Sequence, residues 1–112
     1  MSPIVRLSDY RRRSRPVFFT RYELNQLLSL YSARVSAGDW RDYAIDQVSG
    51  MAVFSVFRNT HDRPLYSVAK CAPGSHRQGD FVVFAGLSKI KHGHTLAEVM
   101  DVFEPYLRLV SG

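Results

Sequence analysis

Three groups of residues in this 112-residue chain have types and spacings that could do chemistry. Trp40-Arg41-Asp42-Tyr43 is the densest of them. Tryptophan, tyrosine and arginine dominate binding hot spots because each joins a large contact area to a directional polar group. The same string also suits a plainer role, with Trp40 closing one end of a core and Arg41 paired with Asp42 at the surface. Arg11, Arg12, Arg13 and Arg15 form the second group, with Tyr10 and Phe18 beside them. Such a cluster can neutralise phosphates with a steep salt dependence, while the aromatic rings stack on bases. A solubilising tail has the same composition. His92-Gly93-His94, with His61, His76 and Cys71 elsewhere, is the third. His-x-His on a strand points both rings to one side. Gly93 marks a bend, however, and no second cysteine or paired-histidine spacing completes a zinc set. Exposed loop histidines are expected there, with no metal and no other cofactor.

Nucleophilic catalysis would need Cys71 or a serine beside a histidine and an orienting acid. Lys70 adjoins Cys71 and would lower its pKa if the two side chains met; a small core thiol is the ordinary case. No Gly-x-Ser-x-Gly, no phosphate-cradling glycine loop and no close carboxylate pair on a helix face occurs. Asp42 and Asp46 share a strand face and read as its solvent side. No catalytic residue is assigned, and an enzyme stands third among the readings.

The elements that must position these groups follow from composition and periodicity. The length suits one domain with one core. A single cysteine excludes an intrachain disulfide and points to a reducing compartment, hence the cytoplasm. No apolar run reaches the length of a membrane span. The net charge of +5 is unevenly placed. Arg6, Arg11, Arg12, Arg13 and Arg15 face only Asp9 within residues 1–16, which leaves the rest of the chain near neutral. Residues 1–16 therefore read as a flexible arginine-rich tail, and residues 17–112 as a single α+β domain.

Thr20 and Glu23 form a capping box, Phe19 and Leu24 a hydrophobic staple, and Leu24, Leu27, Leu28, Tyr31 and Val35 one apolar stripe. Gly38 ends this helix in a left-handed conformation. Strands are expected around residues 42–46, 51–58, 65–71, 80–85 and 89–92, linked by short turns that favour antiparallel pairing. Thr95 and Glu98 repeat the capping box before a stripe of Leu96, Val99, Met100, Phe103 and Leu107, with a kink or a break at Glu104-Pro105. The fold class is α+β: an N-terminal helix, an antiparallel sheet of four or five short strands and a C-terminal helix, in two or three layers. Two strands are apolar on both sides and need cover on both sides. One helix on each face would provide it. With both helices on one face, a partner or a second copy must cover the other.

Glu23-Leu24-Asn25-Gln26-Leu27-Leu28, Trp40-Arg41-Asp42-Tyr43-Ala44-Ile45-Asp46, Ala52-Val53-Phe54-Ser55-Val56-Phe57-Arg58 and Lys91-His92-Gly93-His94 together resemble an alphaproteobacterial family, domain of unknown function 2794. The resemblance spans roughly residues 18–108 and implies a bacterial cytoplasmic protein; it brings no activity and no functional residue. The layout is also loosely similar to phosphotyrosine-binding SH2 domains, with Arg58 ending a strand, although a shared layout grants no shared site. The expectation is a non-catalytic module that binds a protein partner or itself, using Trp40, Arg41, Tyr43 and Arg58. The runner-up is a nucleic-acid-associated regulator using Arg11, Arg12, Arg13 and Arg15. No membrane association is expected.

Overall fold

A computed structural model describes residues 16–59 and 63–103. The first helix, α1, runs Arg21–Ser36 behind a complete capping box. The Thr20 hydroxyl accepts from the Glu23 amide at 3.1 Å, and the Glu23 carboxylate accepts from the Thr20 amide at 2.8 Å. Each bond satisfies an amide that the first helical turn leaves without a partner. The buried positions of α1 are Leu27, Leu30 and Arg34, with Leu24, Leu28 and Tyr31 partly buried beside them. Val35, assigned above to the stripe, is 40% exposed. The inward face is centred one position earlier in that turn, on a residue whose charge disguised it. Gly38 follows with φ +83°, as the end of the helix required.

Five strands follow as a meander in the order β1-β2-β3-β4-β5, every neighbouring pair antiparallel. They are β1 Asp42–Val48, β2 Met51–Phe57, β3 Tyr66–Lys70, β4 Phe81–Ala85 and β5 Ser88–Gly93. Ser49 and Gly50 join β1 to β2 with φ of +53° and +82°. Positive φ at both central residues matches the right-handed twist of a two-residue hairpin. The second helix, α2, is only Leu96–Met100 and tightens into a 3-10 turn at Asp101–Phe103. Pro105 carries no N–H, so the carbonyl of Asp101 has no amide four residues on to accept from. The Thr95 hydroxyl accepts from the Glu98 amide at 3.2 Å, but the Glu98 carboxylate accepts from the His94 amide at 2.9 Å rather than from Thr95. The second capping box is thus displaced by one residue. Leu107 and the break at Glu104-Pro105 lie outside the described residues.

Both helices pack on the same face of the sheet. Leu27 and Leu30 of α1 and Leu96 and Val99 of α2 join Ala52, Phe54, Val56, Val68, Phe81 and Val83 in one buried cluster. The alternate residues of the same strands form a second cluster, in which Ala69, Cys71 and Val82 are packed by Met51, Val53 and Phe84. Among the described residues the fold is therefore two-layered, with both helices covering the same face. Strand pairing sets the rows of this second face. One row runs Asp46, Val53, Ala69, Val82, His92, and the next but one runs Ala44, Ser55, Ser67, Phe84, Lys89.

Candidate functional site

The Trp40 cluster divides between core and surface. Trp40 is 4% exposed and packs edge-on against Phe103, with ring centroids 5.7 Å apart, and obliquely against Tyr66 at 6.3 Å. It closes the end of the core where α1 meets the sheet. Beside it, a cleft of about 140 Å³ is lined by Arg34, Asp39, Trp40, Arg58, Leu65, Tyr66 and Phe103. Arg34 is buried and pairs with Asp39 at 3.3 Å, while its carbonyl accepts from the Asp39 amide at 2.9 Å. Arg58 is exposed at the rim. The structure thus brings Trp40 and Arg58 to one cleft. Arg41 and Tyr43 lie elsewhere, on the β1 side. The Arg41 carbonyl accepts from the Tyr31 hydroxyl at 2.6 Å. Tyr43 is 44% exposed, stacks on Phe54 and meets Tyr31 edge-on. Burial raises the Tyr31 pKa, helped by the negative charge of Asp42, so this hydroxyl stays a donor. Arg11, Arg12, Arg13 and Arg15 lie outside the described residues.

The groups proposed for catalysis and metal binding are placed as follows. Lys70 and Cys71 are neighbours in sequence but point to opposite faces, as successive strand residues do. Lys70 Nζ donates to the Glu23 carboxylate at 2.8 Å and to the Phe18 carbonyl at 3.0 Å on the helix side. Cys71 is buried on the other face, its thiol 3.7 Å from Met51 Sδ. Burial pushes the thiol's pKa up, Asp80 adds to this, and Lys89 acts in the opposite sense. Lys70 therefore does not activate Cys71. His92 is brought to His76, with ring centroids 5.2 Å apart, and not to His94, which borders a shallow groove with Tyr22, Glu23 and Phe81. His92 is held below its ordinary pKa by burial first, then by the positive charges of Lys89 and His76. Among the described residues no three His, Cys, Asp or Glu side chains gather to hold a metal.

Sequence reasoning did not single out the sheet face opposite the helices residue by residue. Its centre holds Ser55 and Ser67, whose hydroxyls lie 3.1 Å apart, among half-buried Met51, Val53, Phe57 and Phe84. The β3–β4 loop covers one corner through His76. Gly79 ends that loop with φ +116°, and a side chain there would collide with the Gly93 carbonyl. On the rest of the face, no described element lies over the strands. Exposed Asp42 and Asp46 stand on β1 at one margin, and exposed Lys89 on β5 at the other. Lys89 pairs with Phe84 across the β4–β5 ladder, which puts it on this face.

These features define a two-layer α+β domain with both helices on one side and a largely apolar sheet face on the other. The chain belongs to the family described as Protein of unknown function (DUF2794), matched over residues 17–100. No curated protein and no solved structure matches it. No described helix is long and apolar enough to cross a membrane.

Proposed function

We propose that the domain is a non-catalytic binding module, an adaptor, regulator or accessory subunit that recognises a protein partner through the sheet face opposite its helices. The observation that carries this reading is the placement of α1 and α2 on one face, while the other presents Met51, Val53, Phe57 and Phe84 without a described layer over them. Half-exposed apolar side chains such as these favour removal from water. The raised pKa of Cys71 and the separation of Lys70 from it support a binding rather than a nucleophilic role. A buried reduced thiol accords with a cytoplasmic setting, and the family resemblance with a bacterial one.

The test is site-specific photo-crosslinking in intact host cells. A benzophenone side chain at Phe84, on the open face, is compared with one at Asn25, an exposed position on α1. A discrete protein adduct from Phe84 that Asn25 does not give supports the reading. No adduct from either site, or the same adducts from both, contradicts it.

A further inference from the structure

We propose that the partner is a second copy of this chain, docked sheet face to sheet face about a two-fold axis parallel to the strands. This rests on the reading that the open face is the docking surface, and deepens it by naming the occupant. Charge is segregated on that face. Asp42 and Asp46 stand on β1, and Lys89 on β5, at opposite margins of one apolar field.

A two-fold axis parallel to the strands keeps each row at its level and exchanges the two margins. Asp46 shares a row with His92, and Lys89 stands in the next row of the same face. The axis therefore sets Asp46 of each copy over β5 of the other, one row from Lys89, and does so twice. An axis across the strands would instead lay β1 over β1, with carboxylates facing carboxylates. Like charges brought together at an interface disfavour it, while complementary margins fix orientation and register. A symmetric interface needs a self-complementary patch, and this face has one. The rotation of roughly 30° between aligned packed sheets stays within the reach of a lysine side chain.

The size of the face sets the strength. Five strands about 4.8 Å apart and about six residues long at roughly 3.3 Å each span about 24 by 20 Å. Two such faces, less the corner under the β3–β4 loop, hide at most about 1,000 Å², the lower bound of specific interfaces. The dimer is accordingly concentration-dependent rather than obligate.

Sedimentation velocity on the full chain tests this with Asp46→Lys and Lys89→Asp, two exposed positions whose folding circular dichroism verifies. The wild type should dimerise with rising concentration, and each variant alone should weaken dimerisation about tenfold or more, since every 46–89 pair becomes like-charged. An equimolar mixture of the two variants should recover the dimer, because both pairs between unlike variants are again opposite in sign. A wild type that stays monomeric, single variants that dimerise normally, or a mixture that stays apart would each overturn the proposal. The mass of the photo-crosslinked adduct separates this from the broader reading. An adduct at Phe84 to a different polypeptide refutes the second copy and leaves the binding function standing. No adduct removes both.

Discussion

Lys70→Met tests how the helix, the chain before it and the sheet are held together. Methionine keeps the apolar stem and removes only the ammonium. That ammonium donates to Glu23 at 2.8 Å and to the Phe18 carbonyl at 3.0 Å, and lies 5.9 Å from the Phe81 ring centre. The side chains of Lys70 and Glu23 are 18% and 16% exposed. Exposed pairs contribute about 0–1 kcal/mol, whereas stranding one partner of a buried pair costs about 3–5. Partial exposure puts Lys70→Met between these, at about 2 kcal/mol. Combined with Glu23→Gln in a double-mutant cycle, the coupling should be about 1 kcal/mol. Urea unfolding followed by the fluorescence of the single tryptophan, buried Trp40, measures it. The pH dependence gives an independent check. Burial alone would raise the Glu23 pKa, but Lys70 and the Thr20 amide overcome it and hold the carboxyl below its ordinary 4.5. The stability it contributes is complete above 4.5 and is lost as pH falls through the depressed folded value. The penalty of Lys70→Met should therefore shrink on acidification below that value. A coupling under about 0.3 kcal/mol, or a penalty unchanged in acid, would refute the account.

Phe54→Ala, at a residue 2% exposed that stacks on Tyr43, should cost about 3–5 kcal/mol in the same urea titration. His92 has its pKa lowered from 6.5, so its contribution is complete above that value and lost as pH falls below it toward the folded value. His92→Gln should accordingly flatten the stability profile in that range, as read by thermal melts. Cys71 should resist an aromatic disulfide reagent in native buffer near pH 8 and react promptly in urea, since burial keeps it protonated and covered. Gly79→Ala should destabilise by more than about 1 kcal/mol, because an added Cβ meets the Gly93 carbonyl and the backbone there is left-handed.

What the sequence revealed was chiefly local. Thr20 with Glu23, and Gly38, each fix a helix end through bonds or a φ angle within a few residues, and each is found as read. The start of α2 was read one bond wrongly because His94 and Thr95 offer adjacent amides to the same carboxylate. Arg34 escaped notice because its burial depends on Asp39 and the Trp40 cleft, which only the folded chain assembles. The meeting of Trp40 with Arg58 likewise depends on where β2 ends relative to α1. Most consequentially, a strand such as Met51–Phe57 has the same apolar pattern whether its second face meets a helix or a partner. The side on which α2 returns decides between the two, and that is a property of the whole topology.

The proposed function requires that protein cover the face carrying Met51, Val53, Phe57 and Phe84. Hydroxyl-radical footprinting of the assembly isolated from its host, compared with the isolated chain at high dilution, tests it without presupposing the partner. The account predicts protection in the assembly at Met51, Phe57 and Phe84, with exposed Phe18 and Tyr22 labelled equally in both samples. Equal labelling of the open face in both samples, or protection that falls on Phe18 and Tyr22 instead, would contradict it.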